Sequence, residues 1–276
     1  MTVRQHVVVG VDGSITAFRA LDRAVQEAAL RGAALEIVYA VPDIDDAGPV
    51  PASAVARARR RCPGLEVGAV PVAGDAVDAL TARGRDAVLT VVGSRDPGGL
   101  TRLPAGSVGL RLAAHSRGPL LVVRGQRAPG PRGVLLGVGS DADAEAAAYA
   151  FEEAARRSAP LRILHTWTYR HPLTTERVRD DYARHAEAEQ ALPGRVVALL
   201  RERYPRIAVE TRTLRTGPAH ALLQATASAD VVVVAAHRHR GLPTPRLGPV
   251  THALLHHSHC PVVVVPCPGP STRTSR

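Results

Sequence analysis

The residues best suited to chemistry lie between Thr90 and Ser107. An apolar run, Val88-Leu89-Thr90-Val91-Val92, stops at Gly93, and a loop with three more glycines follows. Ser107 then opens Val108-Gly109-Leu110-Arg111-Leu112-Ala113-Ala114, which reads as a helix. Strand, glycine loop and helix in that order make an anion site: unpaired N–H groups of the loop and first helical turn point at the ligand, and the helix dipole adds positive charge. Glycine adopts φ > 0 and lets the backbone approach a phosphate closely. Taken singly, each residue also has an ordinary structural role, Ser107 as an N-cap and Asp12 as a turn-former before Gly13.

The elements that must hold such a loop are legible from periodicity. His6 to Val11 is a predicted strand. Thr16 to Arg31 is a helix with apolar residues at Ala17, Ala20, Leu21, Ala24, Val25, Ala28 and Ala29, ended by Gly32. Strands follow at Ala34 to Val41, Leu65 to Val72, Ala87 to Val92 and Pro119 to Arg124, with helices at Ala52 to Arg61, Gly74 to Gly84 and Ser107 to Ser116. Gly125 to Arg132 has the composition of a linker, after which the pattern restarts. The second set of strands is Val134 to Gly139, Leu161 to Trp167, Ile207 to Thr213, Val231 to Ala235 and Val262 to Val265. Its helices are Ala142 to Arg157, Thr174 to Arg203 with a break expected at Pro193-Gly194, and Gly217 to Ala227. Gly10 and Gly137 are 127 residues apart, whereas Gly106 and Gly248, and Pro119 and Pro261, are 142 apart. Two blocks therefore repeat, with 15 extra residues in the second, most simply in its second helix. The expected fold is α/β: two tandem, open, five-stranded parallel sheets with helices on both faces, one domain over 1–126 and the other over 133–268. In such sheets ligands sit outside the carboxyl ends of the strands, where the strand order reverses.

The spacing Gly93, two residues, position 96, nine residues, Gly106-Ser107 resembles the G-x2-G-x9-G-[S/T] nucleotide loop of the universal stress protein family. Val8-Val9-Gly10-Val11-Asp12-Gly13-Ser14 resembles that family's first strand and turn, and Gly118-Pro119-Leu120-Leu121-Val122-Val123-Arg124 its last strand. The resemblance implies a cytoplasmic protein that binds ATP in its first domain and regulates a stress response through a nucleotide-dependent shape. The implied site is Val11, Asp12, Ala40, Val92, Gly93, Asp96, Gly106, Ser107 and Val108. Val11 and Ala40 would line the base, Asp12 would sit beside the nucleotide, Gly93 and Gly106 would approach the phosphates, and Ser107 and Val108 would donate to them. The family's second glycine is Asp96 here. A carboxylate about 4 Å from a phosphate costs about 4 kcal/mol at an effective dielectric of 20, which Arg95, Arg102 or a Mg²⁺ bridging Asp12 or Asp96 would offset. The second copy has Gly139, Ala235, Arg238 and Pro249 where the first has Asp12, Gly93, Asp96 and Ser107, and is expected to be a structural or partner-binding copy. The family also pairs its last strands antiparallel, so the two domains are expected to dock through Leu120 to Arg124 and Val262 to Val265, with homodimerisation as a further step. A nucleotide-free scaffold and a slow ATPase are the alternative readings.

Composition narrows the classes. The 276 residues are enough for about two domains, 45% are hydrophobic and only 3% aromatic, so the cores are built from aliphatic residues. No run of 18 apolar residues occurs. The net charge of +10 comes from 35 Arg and no Lys, 15 Arg against 12 acids up to residue 126 and 20 against 13 beyond it. That spread, without an aromatic-interleaved basic stripe, argues against nucleic acid as partner. Absence of Lys excludes a Walker-type phosphate loop, and neither a G-x-S-x-G elbow nor an H-E-x-x-H motif occurs. Cys62, Cys260 and Cys267 form no C-x-x-C pair. His237, His239, His252, His256, His257 and His259 beside Cys260 repeat no zinc-finger spacing and suit the negative end of a helix, so no metal is expected.

Overall fold

The computed structural model describes residues 5–94, 108–124, 132–169, 176–238 and 247–268. The first half runs β1 (His6–Val11), α1 (Ile15–Arg31), β2 (Ala34–Val41), α2 (Val50–Arg61), β3 (Val67–Ala73), α3 (Ala76–Arg83), β4 (Leu89–Gly93), α4 (Val108–His115) and β5 (Leu120–Val123). The second repeats it as β6 (Val134–Val138), α5 (Ala144–Arg157), β7 (Leu161–Trp167), α6 (Glu176–Arg203), β8 (Val209–Arg215), α7 (Pro218–Thr226), β9 (Val231–Arg238), α8 (Pro249–His257) and β10 (Val262–Pro268). The expected break in the second half's long helix is absent: α6 continues through Pro193 and has 28 residues where α2 has 12.

Each half has the parallel order third, second, first, fourth, fifth strand, but the two sets are not separate sheets. They form one ten-stranded mixed sheet, β3-β2-β1-β4-β5-β10-β9-β6-β7-β8. Its only antiparallel pairing among the described residues is β5 with β10, through Val122 with Val262, Leu121 with Val263 and Leu120 with Val264. A short apolar strand whose outer N–H and C=O groups would otherwise face water completes its ladder by meeting its counterpart. The rest of β10, from Val265 to Pro268, pairs with β9 alone. Pro266 and Pro268 therefore stand where no second neighbour needs an N–H.

Alternation along each strand feeds two cores. One face carries a core that includes Val7 and Val9 with Leu21, Ala24 and Ala28 of α1 and continues into the second half with Phe151 of α5; the other includes Val8, Val38 and Val92 with Leu80 of α3 and Leu112 of α4. Phe151 is fully buried and heads the large side chains of a core in which, among the described residues, Trp167 is the only other aromatic hydrophobic residue. Between α1 and α5 the apolar core gives way to charge. Glu27 is wholly buried and Glu153 is 1% exposed. Arg31 reaches Glu153 at 2.6 Å and Arg157 reaches Glu27 at 2.5 Å, while each Arg also pairs with the Glu one turn back on its own helix. Glu27 and Arg31 match Glu153 and Arg157 in the repeat, so the cluster follows the internal pseudo-two-fold symmetry.

Candidate functional site

At the carboxyl edge of the first half the chain leaves β1 at Val11 and turns. Asp12 Oδ1 accepts the Ser14 N–H at 3.0 Å, Gly13 takes φ 80°, and Ser14 Oγ accepts the Ala17 N–H at 3.1 Å, capping α1. Ser14→Ala is expected to cost about 1 kcal/mol, read as a small drop in melting temperature, because one orphan N–H of α1 loses its acceptor. The strand order reverses between β1 and β4, and there a cleft of about 100 Å³ opens.

The structure brings six of the nine sequence-derived site residues, Val11, Asp12, Ala40, Val92, Gly93 and Val108, around that cleft. Asp96, Gly106 and Ser107 lie outside the described residues. Sequence reasoning missed Ser14 and Thr16 at the start of α1, and Ala76 and Leu80 of α3. Ala76 and Leu80 share a helical face, a signal available from spacing, but only the packing of α3 against β1 shows which face meets the cleft. The walls are apolar apart from Asp12 and the hydroxyls of Ser14 and Thr16, whose oxygens are 3.0 Å apart. Apolar walls from Val11, Ala40, Leu80 and Val92 beside one carboxylate and two hydroxyls are the mix of apolar lining and few polar groups typical of small-molecule sites.

Gly93 has a second reason to be glycine. A Cβ there would stand 2.6 Å from the carbonyl oxygen of Thr16 and 2.9 Å from its carbonyl carbon. The end of β4 and the first turn of α1 touch backbone to backbone, and this contact shapes the cleft wall.

The matching turn of the second half is closed by the chain itself. Asp143 Oδ2 accepts the N–H groups of Gly139 at 2.5 Å and Ser140 at 3.1 Å, and its Oδ1 lies 2.6 Å from Nε2 of His237 at the end of β9. The N–H groups that would meet an anion already hold a buried carboxylate. At the end of β7, Trp167 meets Tyr182 of α6 at a tilt and His185 of α6 edge-on, with ring centroids 5.8 and 5.4 Å apart.

Of the histidines that lie near Cys260 in sequence, His237 stands at the end of β9, and His252, His256 and His257 form a cluster on α8. His237 serves Asp143, whereas His252 and His256 lie one turn apart on α8 with centroids 4.5 Å apart, and His239 lies outside the described residues. Burial, then the neighbouring His252, His257 and Arg124, hold His256 below the usual histidine range. Burial pushes the Cys260 thiol up to about 11, despite the Ser258 hydroxyl, leaving it unreactive at neutral pH. Among the described residues no group of three or more His, Cys, Asp or Glu side chains is arranged to hold a metal ion. Nor is any described helix long and apolar enough to cross a membrane.

The family model for the Universal stress protein family matches residues 4–124 and again 131–266. The chain is 32% identical to universal stress protein Rv2005c of Mycobacterium tuberculosis, over 95% of this chain and 97% of that protein. It is 31% identical to a universal stress protein of Mycolicibacterium smegmatis over 94% and 96% of the two. Among solved structures, a universal stress protein from Archaeoglobus fulgidus shares the fold, with a TM-score of 0.68 at 16% identity over 95% of this chain and 96% of that one.

Proposed function

The chain belongs to the universal stress protein family, and from that premise we propose that its first half binds one adenine nucleotide, ATP with Mg²⁺, and its second half none. The convergence of Val11, Asp12, Ala40, Val92, Gly93 and Val108 on one cleft at the strand-order reversal carries this reading. Adenine lies on Val11, Ala40, Leu80 and Val92. Asp12 faces the ribose, and the triphosphate extends towards the loop that leads into α4. Gly93, Gly106, Ser107 and Val108 bring backbone N–H groups and a hydroxyl to it. The second half fails as a site because Asp143 fills its turn and Pro249 replaces Ser107. The bound phosphates draw the loop and α4 together, and this nucleotide-dependent shape in the cytoplasm is the regulatory output.

The purified, denatured chain should release an adenine nucleotide detectable by mass spectrometry, and calorimetric titration of the emptied chain with ATP should give one site. Ala40→Phe, which fills the base cleft, should abolish the heat. Asp96→Gly should tighten magnesium-free binding by up to about 4 kcal/mol, the Coulomb term for a carboxylate near a phosphate at an effective dielectric of 20. Two sites per chain, or no heat from either wild type or Asp96→Gly, overturns the proposal; the second outcome leaves a nucleotide-free scaffold.

A further inference from the structure

A larger cavity, about 490 Å³, lies in the second half between α7 and the β7–β8 pair, on the other side of β6 from the shared β5–β10 seam. Leu135, Leu164, Leu214 and Ala221 make its apolar floor. Arg162 lies at one end, where its guanidinium donates to the hydroxyl of Ser228 at 2.9 Å and to the Ser228 carbonyl just past α7. His220, in the first turn of α7, lies at the other.

The internal repeat shows how this space arose. Strand register pairs Leu135 with Arg162 as it pairs Val8 with Glu36, so Arg162 holds the place of Glu36. Leu222 stands over Gly137 as Leu80 stands over Gly10, which puts Ala225 in the place of Arg83. In the first half Arg83 crosses this space to Glu36 at 3.3 Å. In the second the acid has become an arginine and the helix arginine an alanine. The bridge cannot form, room is left under α7, and the local charge changes sign. Arg212, also on the wall, is balanced by Glu210 at 2.7 Å. Arg162 has no carboxylate partner among the described residues, and its Nε is buried without a hydrogen-bond partner. A guanidinium of this kind favours an oxyanion, and a volume of this size is typical of small-molecule sites, which run to about 300–1,000 Å³.

We infer that the groove between α7 and the β7–β8 pair is a second ligand site, for an organic oxyanion with an apolar body whose charged end meets Arg162. The apolar body lies along the leucine floor. The site is separate from the cleft of the first half and does not depend on its occupancy.

The probes are octanoate, octyl phosphate and the neutral octanol, titrated by calorimetry into the full chain, with leucine-methyl NMR as a second readout. At least one oxyanion should bind and shift the methyls of Leu135, Leu164 and Leu214, with octanol at least tenfold weaker. Which oxyanion binds separates a carboxylate ligand from a phosphate ligand. Arg162→Glu, which restores the first half's residue, and, separately, Ala225→Glu, which sets a carboxylate against Arg162 in the place of the first half's Arg83, should each weaken the oxyanion at least tenfold without lowering the melting temperature. Failure of both oxyanions to bind, equal binding of octanol, or unchanged binding in folded variants overturns the inference. If both variants fail to fold, the wild-type comparison of oxyanion with octanol, read at the leucine methyls, decides it.

Discussion

Glu27→Gln is expected to destabilise the chain by about 3–5 kcal/mol, the range for removing one partner of a buried ion pair. The neutral amide keeps the shape of the carboxylate and removes its charge. Arg23 at 2.7 Å, Arg157 at 2.5 Å and Arg31 all bind Glu27, and Glu153 would be left to balance their charge inside the protein. The cost comes from guanidiniums that have been desolvated and then lose their counter-charge. Because the cluster joins α1 to α5, the loss should appear as earlier separation of the two halves in urea, with a lower transition midpoint. An unchanged midpoint would show that water reaches the cluster.

The same residue sets an acid response. Burial pushes the Glu27 carboxyl up, but Arg23, Arg157 and Arg31 together outweigh it and hold it at about 2, against an ordinary 4.5. A carboxyl depressed in the folded state binds fewer protons there than in the unfolded chain. Its stabilisation is therefore complete above about pH 4.5 and is lost as the pH falls towards 2. The melting temperature of the wild type should fall across that window, and that of Glu27→Gln should fall less.

Gly93→Ala is the second large effect. The added methyl group would stand 2.6 Å from the Thr16 carbonyl oxygen, and backbone cannot swing aside as a side chain does. About 3 kcal/mol of stability should be lost, the upper part of the overpacking range. The retreat of α1 from β4 should also move Ser14 and Thr16 and distort the cleft, weakening nucleotide by about a hundredfold, or ~3 kcal/mol. The second half supplies a control. A Cβ at Gly248 meets nothing within 4 Å, so Gly248→Ala should cost under about 1 kcal/mol, the loss of a modest N-cap, and leave nucleotide binding unchanged. Equal nucleotide affinity in Gly93→Ala and wild type would separate Gly93 from the cleft.

Local order was legible in the sequence because backbone geometry imposes its own periods. The 3.6-residue apolar repeat of α1, its Gly32 end at φ 59° and the strands His6–Val11, Ala34–Val41 and Leu161–Trp167 stand in the structure with the predicted identity. The repeat was equally readable, since a constant offset between glycines needs no knowledge of contacts. Part of the cleft was legible for a similar reason: the ends of β1, β2 and β4 must lie side by side in a parallel sheet with this order, so Val11, Ala40 and Val92 converge. What remained hidden depends on distance across the fold. Glu27 and Arg31, or Glu153 and Arg157, read in sequence as exposed i,i+4 pairs; only the crossing of α1 on α5 removes them from water. Asp143 reads as an acid before a helix, and only the reach of β9 to His237 makes it the plug of its own turn. The seam of the ten-stranded sheet was legible only through the family resemblance, which named β5 and β10 as partners. The apolar pattern by itself shows that an edge needs a partner but carries no mark of which strand supplies the hydrogen bonds, and that the two sets merge into one sheet belongs to the tertiary structure.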